Sequence, residues 1–438
     1  MKNRTVTICK WISLSVIAVS LLYVVLLGLA NRSLRQAYAA LEAGGRPMTV
    51  EELLPRDIQD VENAALIYKA AVLRLKAEEG AGGQDLFSEL GNLADRVLEK
   101  TPDDQALDSF RHNLNMQTVS ETFATLEKAK GRTKCRFIVD YSEGAGTPLP
   151  HLSDVRILTK IACARARTQA LDGDVAESWD SVGTALHLAN ALKKEPLLIS
   201  QLVRVAQFSV TADTLQVLAN LSTPSETHYN AIKHLLHEFD DLTPLASAMD
   251  GERLLLGEWA FNLPPSERDE LQTLVESESQ ALLSLIAFFR PRFLRDHAAY
   301  LRVMHSYAQN ATEPYSPHNE SFGEELMNNV PTYSFLTRIL VPPMSSVKNR
   351  YMSMIAKARV TLAGLTVQQA RHKKGASPAT LNALETKIPV DPFTGEALIY
   401  RSTPSGFIVY SVGENLTDGG GTLSSEDVEG DIVWQNEL

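Results

Sequence analysis

A mainly α-helical protein is expected from this sequence: an N-terminal transmembrane helix, an all-α helical array in the middle, and a small α+β module at the C-terminus. Three observations carry this expectation. Trp11–Ala30 is a run of twenty residues without a charge. From about residue 50 to 330, apolar positions recur at helical period. After Asn349, one long helical stripe gives way to alternating strands and a glycine-rich acidic tail. The predicted segments are a tip and anchor (1–34), a helical domain (45–312), a linker (313–345) and the α+β module (346–438). A length of 438 residues suits two or three domains.

The anchor comes first. At 1.5 Å per residue, Trp11–Ala30 spans roughly 30 Å, the thickness of one bilayer core. Lys2, Arg4 and Lys10 precede it and Arg32 and Arg35 follow. With the terminal amine, this count favours a cytoplasmic N-terminus and places the rest of the chain outside the cytoplasm. A signal peptide cleaved near Gly28-Leu29-Ala30 is the alternative, but its apolar region would be long for that role.

Charge narrows the partners. The net charge of −11 argues against nucleic acid, which requires clustered Lys and Arg. Seven of the excess acids fall in residues 411–438, which hold no Lys or Arg. A disordered tail would fit that charge, yet Ile432, Val433 and Trp434 are uncommon in such tails. Cys135 and Cys163 lack a CxxC spacing, and a disulfide between them is left open by the compartment.

The middle reads as successive helices. Val61, Ala65, Tyr68, Val72 and Leu75 form one stripe, ended by Gly80, Gly82 and Gly83. A second helix fits 85–100, and a third runs over roughly 104–130. The stretch 164–196 reads as a helix, a turn at Asp172-Gly173 and a second helix carrying Trp179. This pair resembles a tetratricopeptide-type hairpin, although no clean 34-residue repeat is present. Further helices are expected over 200–221, after Ser225, and over 266–289. Prolines, asparagines and a glycine mark 311–332 as linker.

Candidate chemistry in this region is sparse. His234, His237 and Glu238 share a helix face at metal-ligand spacing, which admits a metal-dependent hydrolase as an alternative. An amphipathic surface helix explains them more simply. Glu252, Arg253 and Glu258 in "MDGERLLLGEW" read as a solvated helix face in preference to a buried Arg–carboxylate site. His297 and His305 are expected to pack or to face solvent. The chain contains no nucleophile elbow, Walker loop or dinucleotide fingerprint.

The C-terminal module is clearer. Ile355, Ala358, Leu362 and Leu365 mark a helix ending near Lys373-Lys374-Gly375. Ser377-Pro378 then caps a short helix, "DPFTG" (391–395) forms a turn, and "ALIYRS" and "GFIVYSVG" alternate as strands. This order resembles the globular part of the major pseudopilin of type II secretion systems. There, a long helix is followed by a "YP-x-x-L-x-x-L" segment, a "DPWG" turn, two strands, an "S-L-G-A-D-G" loop and an ending near "D-A-D-I-x-N-W". The counterparts here are "ASPATLNAL", "DPFTG", "IYRSTPSGFIVYSVG" and "GDIVW", within 350–438. The whole plan is also similar to uncharacterised envelope proteins of planctomycete-type bacteria.

The resemblance implies a calcium ion in the loop after the second strand, held by Asn415, Asp418, Asp427 and Asp431. Carboxylate, amide and glycine carbonyl oxygens suit such an ion. The N-terminus departs from the family, because "CKWISLSVIAVSLL" has no Glu and no leader motif. The functional expectation is a non-enzymatic envelope protein, membrane-bound through residues 11–30. Its helical array would bind an envelope protein partner, and its C-terminal module would bind calcium. An accessory part of a type II secretion or pilus-like machine is the alternative.

Overall fold

The helix seeded by the apolar run does not stop where the apolar run stops. The computed structural model describes residues 2–54, 58–80, 83–264, 289–341, 344–403, 406–422 and 430–437. In it, one helix, α1, covers Lys2–Ala43, about 63 Å at 1.5 Å per residue. Its first half is apolar and bare: Trp11, Leu14, Val19 and Leu22 are all more than half exposed. Its second half is built into the protein, with Ala30, Ala37 and Leu41 buried and Leu34 packed beside them.

The helical middle follows as α2 (Val50–Leu53), α3 (Ala64–Lys76), α4 (Leu86–Val97), α5 (Asp104–Leu114) and α6 (Gln117–Ala129). Then come α7 (Pro150–Asp172), α8 (Val175–Asn190), α9 (Leu198–Leu221), α10 (Glu226–His237) and α11 (Thr243–Gly251). The last of these continues through a π-helical stretch, Glu252–Glu258, into α12 (Trp259–Asn262). The C-terminal part holds α13 (Arg290–Asn310), α14 (Asn319–Asn328), α15 (Phe335–Leu340) and α16 (Met344–Lys374). Strands β1 (Ile399–Ser402), β2 (Gly406–Ser411) and β3 (Ile432–Glu437) complete it.

Local chemistry accounts for many boundaries. The side chains of Asn63, Asp85, Asp103 and Ser225 accept hydrogen bonds from first-turn N–H groups and so cap α3, α4, α5 and α10. Gly173 takes φ 91° and closes α7, as the Asp-Gly turn predicts. The expected helix over 104–130 is in fact two, α5 and α6. Asn115 donates its amide to the Arg111 carbonyl, and Met116 is extended (φ −67°, ψ 137°), so the helix is interrupted there. Two further expectations are altered. Residues 313–345 contain α14 and α15, and Tyr315, Val330 and Leu336 from this segment are buried. The short helix after Ser377-Pro378 reduces to a single 3₁₀ turn, Leu381–Ala383. The helix expected over 266–289 lies, apart from Phe289, outside the described residues.

Among the described residues, two apolar cores result. One joins α3 through α8, from Ala64 to Ala191. The other gathers α1, α8 to α13, α15 and α16 with the sheet, so Leu215 and Leu218 of α9 share a core with Leu365, Phe407 and Trp434. The sheet is antiparallel in the order β1-β2-β3. Its third strand comes from the acidic tail, where Ile432–Trp434 supply the β-branched and aromatic residues a strand needs. The central strand pairs Val409 with Trp434, whose ring lies on α16 at Gly364. A Cβ at Gly364 would stand 2.4 Å from that ring. Gly364→Ala is therefore expected to destabilise the protein by roughly 1–3 kcal/mol, the usual cost of overpacking. Urea unfolding followed by tryptophan fluorescence measures it.

Candidate functional site

The loop between β2 and β3 is built from its own backbone. Gly413, Gly420 and Gly421 take positive φ, as does Leu416. Asp431 is buried and accepts from Gly419 N (3.2 Å) and Gly421 N (2.6 Å). Asp418 accepts from the Tyr410 hydroxyl and from Gly420 N, both at 2.8 Å, and pairs with Arg401 at 3.4 Å. The Tyr410 hydrogen bond is the leading cause holding the Asp418 carboxyl below the usual range. Tyr410 in turn is pushed up to about 12, by burial and then by Asp418. Asn415 is exposed and accepts from Thr417 N at 2.9 Å. Asp427 lies outside the described residues.

Asn415, Asp418 and Asp431 therefore belong to one loop and carry oxygens of the kind calcium takes. Their described oxygens already accept hydrogen bonds, and an ion at Asp418 would compete with Arg401. Among the described residues, no group of three or more His, Cys, Asp or Glu is placed to hold a metal. At the end of β2, Ser411 Oγ (2.9 Å) and Val412 N (3.1 Å) donate to Asp391 of "DPFTG". That buried carboxylate locks the turn to the end of β2.

The helix-face pair in α10 is exposed. His234 and His237 face solvent, and Glu238 is tied to Lys193 at 2.8 Å. That hydrogen bond leads in holding the Glu238 carboxyl down. The three cysteines are free thiols, and Cys163 is fully buried with its sulfur on Thr211 Oγ1 at 3.7 Å. Burial pushes the Cys163 thiol up to about 11.

A second cluster, expected as a solvated face, is the opposite. Glu252, Arg253 and Glu258 are each 9% exposed or less. They lie on the π-helical stretch, a wide turn often found at functional positions. Glu258 accepts from the Tyr38 hydroxyl at 2.9 and 3.0 Å and lies 3.1 Å from His297 Nε2. His297 stacks on Phe261 at 4.4 Å. Burial raises the Glu258 pKa, but the His297 and Tyr38 contacts outweigh it and hold it low. Arg253 donates to the Pro47 carbonyl and approaches Asp250 at 3.5 Å, while its Nε and Nη1 have no partner. Asp250 also pairs with Arg46 at 2.6 Å.

A cleft of about 850 Å³ opens beside this cluster, walled by Tyr38, Met48, Leu254, Glu258 and Trp259. A second cavity of about 430 Å³ shares Leu255 with it and is lined by Leu197, Leu202, Glu252 and Arg350. Both are mostly apolar with a carboxylate in the wall, a composition that suits ligand or partner binding. The sequence carried one signal for this site: Glu252, Arg253 and Glu258 flank the apolar run Leu254–Leu256 at Gly251 and Gly257. Gly257 is required there, because a Cβ would fall 2.1 Å from the Tyr300 ring. Tyr38 and His297, 259 positions apart, gave no such signal.

The chain matches no protein-family model, no curated protein and no solved structure.

Glu252 provides a pH test. Burial raises its pKa, against the hydrogen bond from Leu198 N. A carboxyl raised in the fold destabilises it above the folded pKa, and the penalty fades as pH falls below the unfolded value. Glu252→Gln is thus expected to melt above the parent at about pH 8, with the gap closing by about pH 4, near the reference carboxyl value. Thermal unfolding across this range measures it. An equal gap at both pH values would contradict the assignment.

Proposed function

We propose that this chain is a single-pass protein of a bacterial inner membrane, with its N-terminus cytoplasmic and its bulk periplasmic. Its helical domain, including tetratricopeptide-like hairpins, serves as a non-enzymatic scaffold that binds another envelope protein. The observation that carries this reading is the division of α1. Bare apolar side chains from Ile8 to Leu29 demand a non-aqueous surrounding, and the same helix then enters the core. The scaffold is thereby fixed to its anchor without a flexible joint. The π-helical cluster favours binding over catalysis, because Glu258, Tyr38 and His297 are engaged with one another.

The full chain, expressed in bacterial cells, is expected to stay in the membrane pellet after alkaline carbonate extraction. A C-terminal epitope should be digested by protease added to spheroplasts. Release by carbonate, or protection of the epitope, would overturn the reading.

The pseudopilin-like order of the C-terminal module supports a calcium ion at Asn415, Asp418, Asp427 and Asp431. The same order supports the alternative role as an accessory part of a type II secretion or pilus-like machine. Calcium in hundredfold excess over its dissociation constant would stabilise the native state by about 2.7 kcal/mol. The melting temperature of the full chain is expected to rise in calcium relative to chelator, and the rise should vanish in Asn415→Ala/Asp418→Ala. No rise in the parent would remove the ion.

A further inference from the structure

Among the described residues, five arginines without a carboxylate partner gather where α1 leaves its apolar stretch. Helices α1 and α13 run parallel and pack side by side. Phe289, just before α13, meets Tyr23 edge-on at 5.9 Å. Further along, Arg302 donates to Ser33 Oγ at 2.7 Å and to its carbonyl at 3.1 Å. These contacts set the level of the residues between them. Arg290, Arg292 and Arg295 of α13 fall alongside Tyr23–Ala30, the last two turns of the charge-free run. Arg32 and Arg35 stand one to two turns above on α1.

Arg32, Arg35, Arg290 and Arg292 are exposed and Arg295 is half-buried. No described carboxylate pairs with any of the five. Residues 1–41 and 289–295 hold no acid at all, in a chain whose net charge is −11. The three α13 arginines are some 260 residues from the apolar run in sequence. They therefore lie outside the short flanks that decide insertion, and only folding brings them here.

We infer that Arg290, Arg292 and Arg295, with Arg32 and Arg35, bind the phosphates of anionic membrane lipids and set the depth of the protein in the bilayer. The inference rests on the membrane-anchored reading above. Arginine is a fork-shaped donor suited to phosphate, and long basic side chains keep their charge in the headgroup layer, which is roughly 5–8 Å thick. A guanidinium within hydrocarbon is costly, so the hydrocarbon boundary settles at these arginines. The span then draws on Trp11–Leu27, about 25 Å, with Lys10 at the opposite headgroup layer. Anionic lipid is favoured over neutral lipid because nothing described neutralises the patch.

The test uses the purified, delipidated full chain in mild detergent, with bound lipid counted by native mass spectrometry. The parent is expected to retain phosphatidylglycerol over phosphatidylcholine. Arg290→Gln/Arg292→Gln/Arg295→Gln should lose about a hundredfold in that affinity, as three arginines near an anionic surface imply. Lysine at the same three positions should restore most of it. Arg32→Gln/Arg35→Gln provides an independent weakening variant on α1, and Arg74→Gln/Arg156→Gln, far from the patch, should change nothing.

Undiminished phosphatidylglycerol binding in both weakening variants overturns the inference. So does inorganic phosphate competing as well as the lipid, which would mark a small-anion site. Release of the parent by alkaline carbonate would instead bring down the anchored reading on which the inference stands. A chain that resists extraction while its variants bind lipid normally loses only the inference.

Discussion

The packing of α1 on α13 is the constraint on which the other arrangements rest. A helix with one apolar half and one amphipathic half could lie free of the domain. Here Ala30, Leu34, Ala37 and Leu41 make a stripe at 4, 3, 4 spacing, and its last three members join the larger core. The small side chains at 30 and 37 let the neighbouring helix approach closely. Tyr38 then reaches Glu258, and Arg46, just past the helix end, reaches Asp250. Helix α1 and the segment just after it thus supply one partner to the π-helical stretch and one to the carboxylate just before it. The long apolar helix, the core and the cleft are thereby joined.

Buried charge is used for connection. Arg204 of α9 is fully buried and donates to Asn190 (3.0 Å), the Glu238 carbonyl (2.8 Å) and the Tyr351 hydroxyl (2.7 Å). It joins α8, α9, the end of α10 and α16. Asp296 accepts from Leu336 N and Thr337 N and so fixes α15 to α13. Such groups are expensive to bury, and each compensates only in one arrangement of its neighbours. Arg253 is less fully compensated, with two nitrogens unpartnered.

The C-terminal module is tied into the helical array at several points. Arg359 of α16 pairs with Asp240 at 2.7 Å, and Lys357 pairs with Asp213 at 2.7 Å. Tyr315 packs on Phe393 and donates to the Glu414 carbonyl. Its loop carboxylates organise glycine N–H groups, so the opening stretch of the acidic tail folds back and delivers β3 to the sheet.

By itself the sequence determined the elements whose causes are local. The apolar run of α1, the Gly173 turn, the caps at Asp85 and Ser225, and the strands β1 and β2 follow from residue type and spacing within a few positions. The loop holding Asn415, Asp418 and Asp431 was visible for the same reason, since its glycines and acids are neighbours in the chain. Tertiary structure decided the rest. Whether Glu252, Arg253 and Glu258 faced water depended on Tyr38, Arg46 and His297, which no helical period links to them. Residues 313–345 read as linker because their prolines and asparagines outweigh their few apolar residues, yet Tyr315, Val330 and Leu336 found a core to enter. The third strand needed a paired edge on β2 before Ile432–Glu437 could extend. Period and capping are properties of one segment, whereas burial and charge compensation belong to pairs of segments that meet only when the chain has folded.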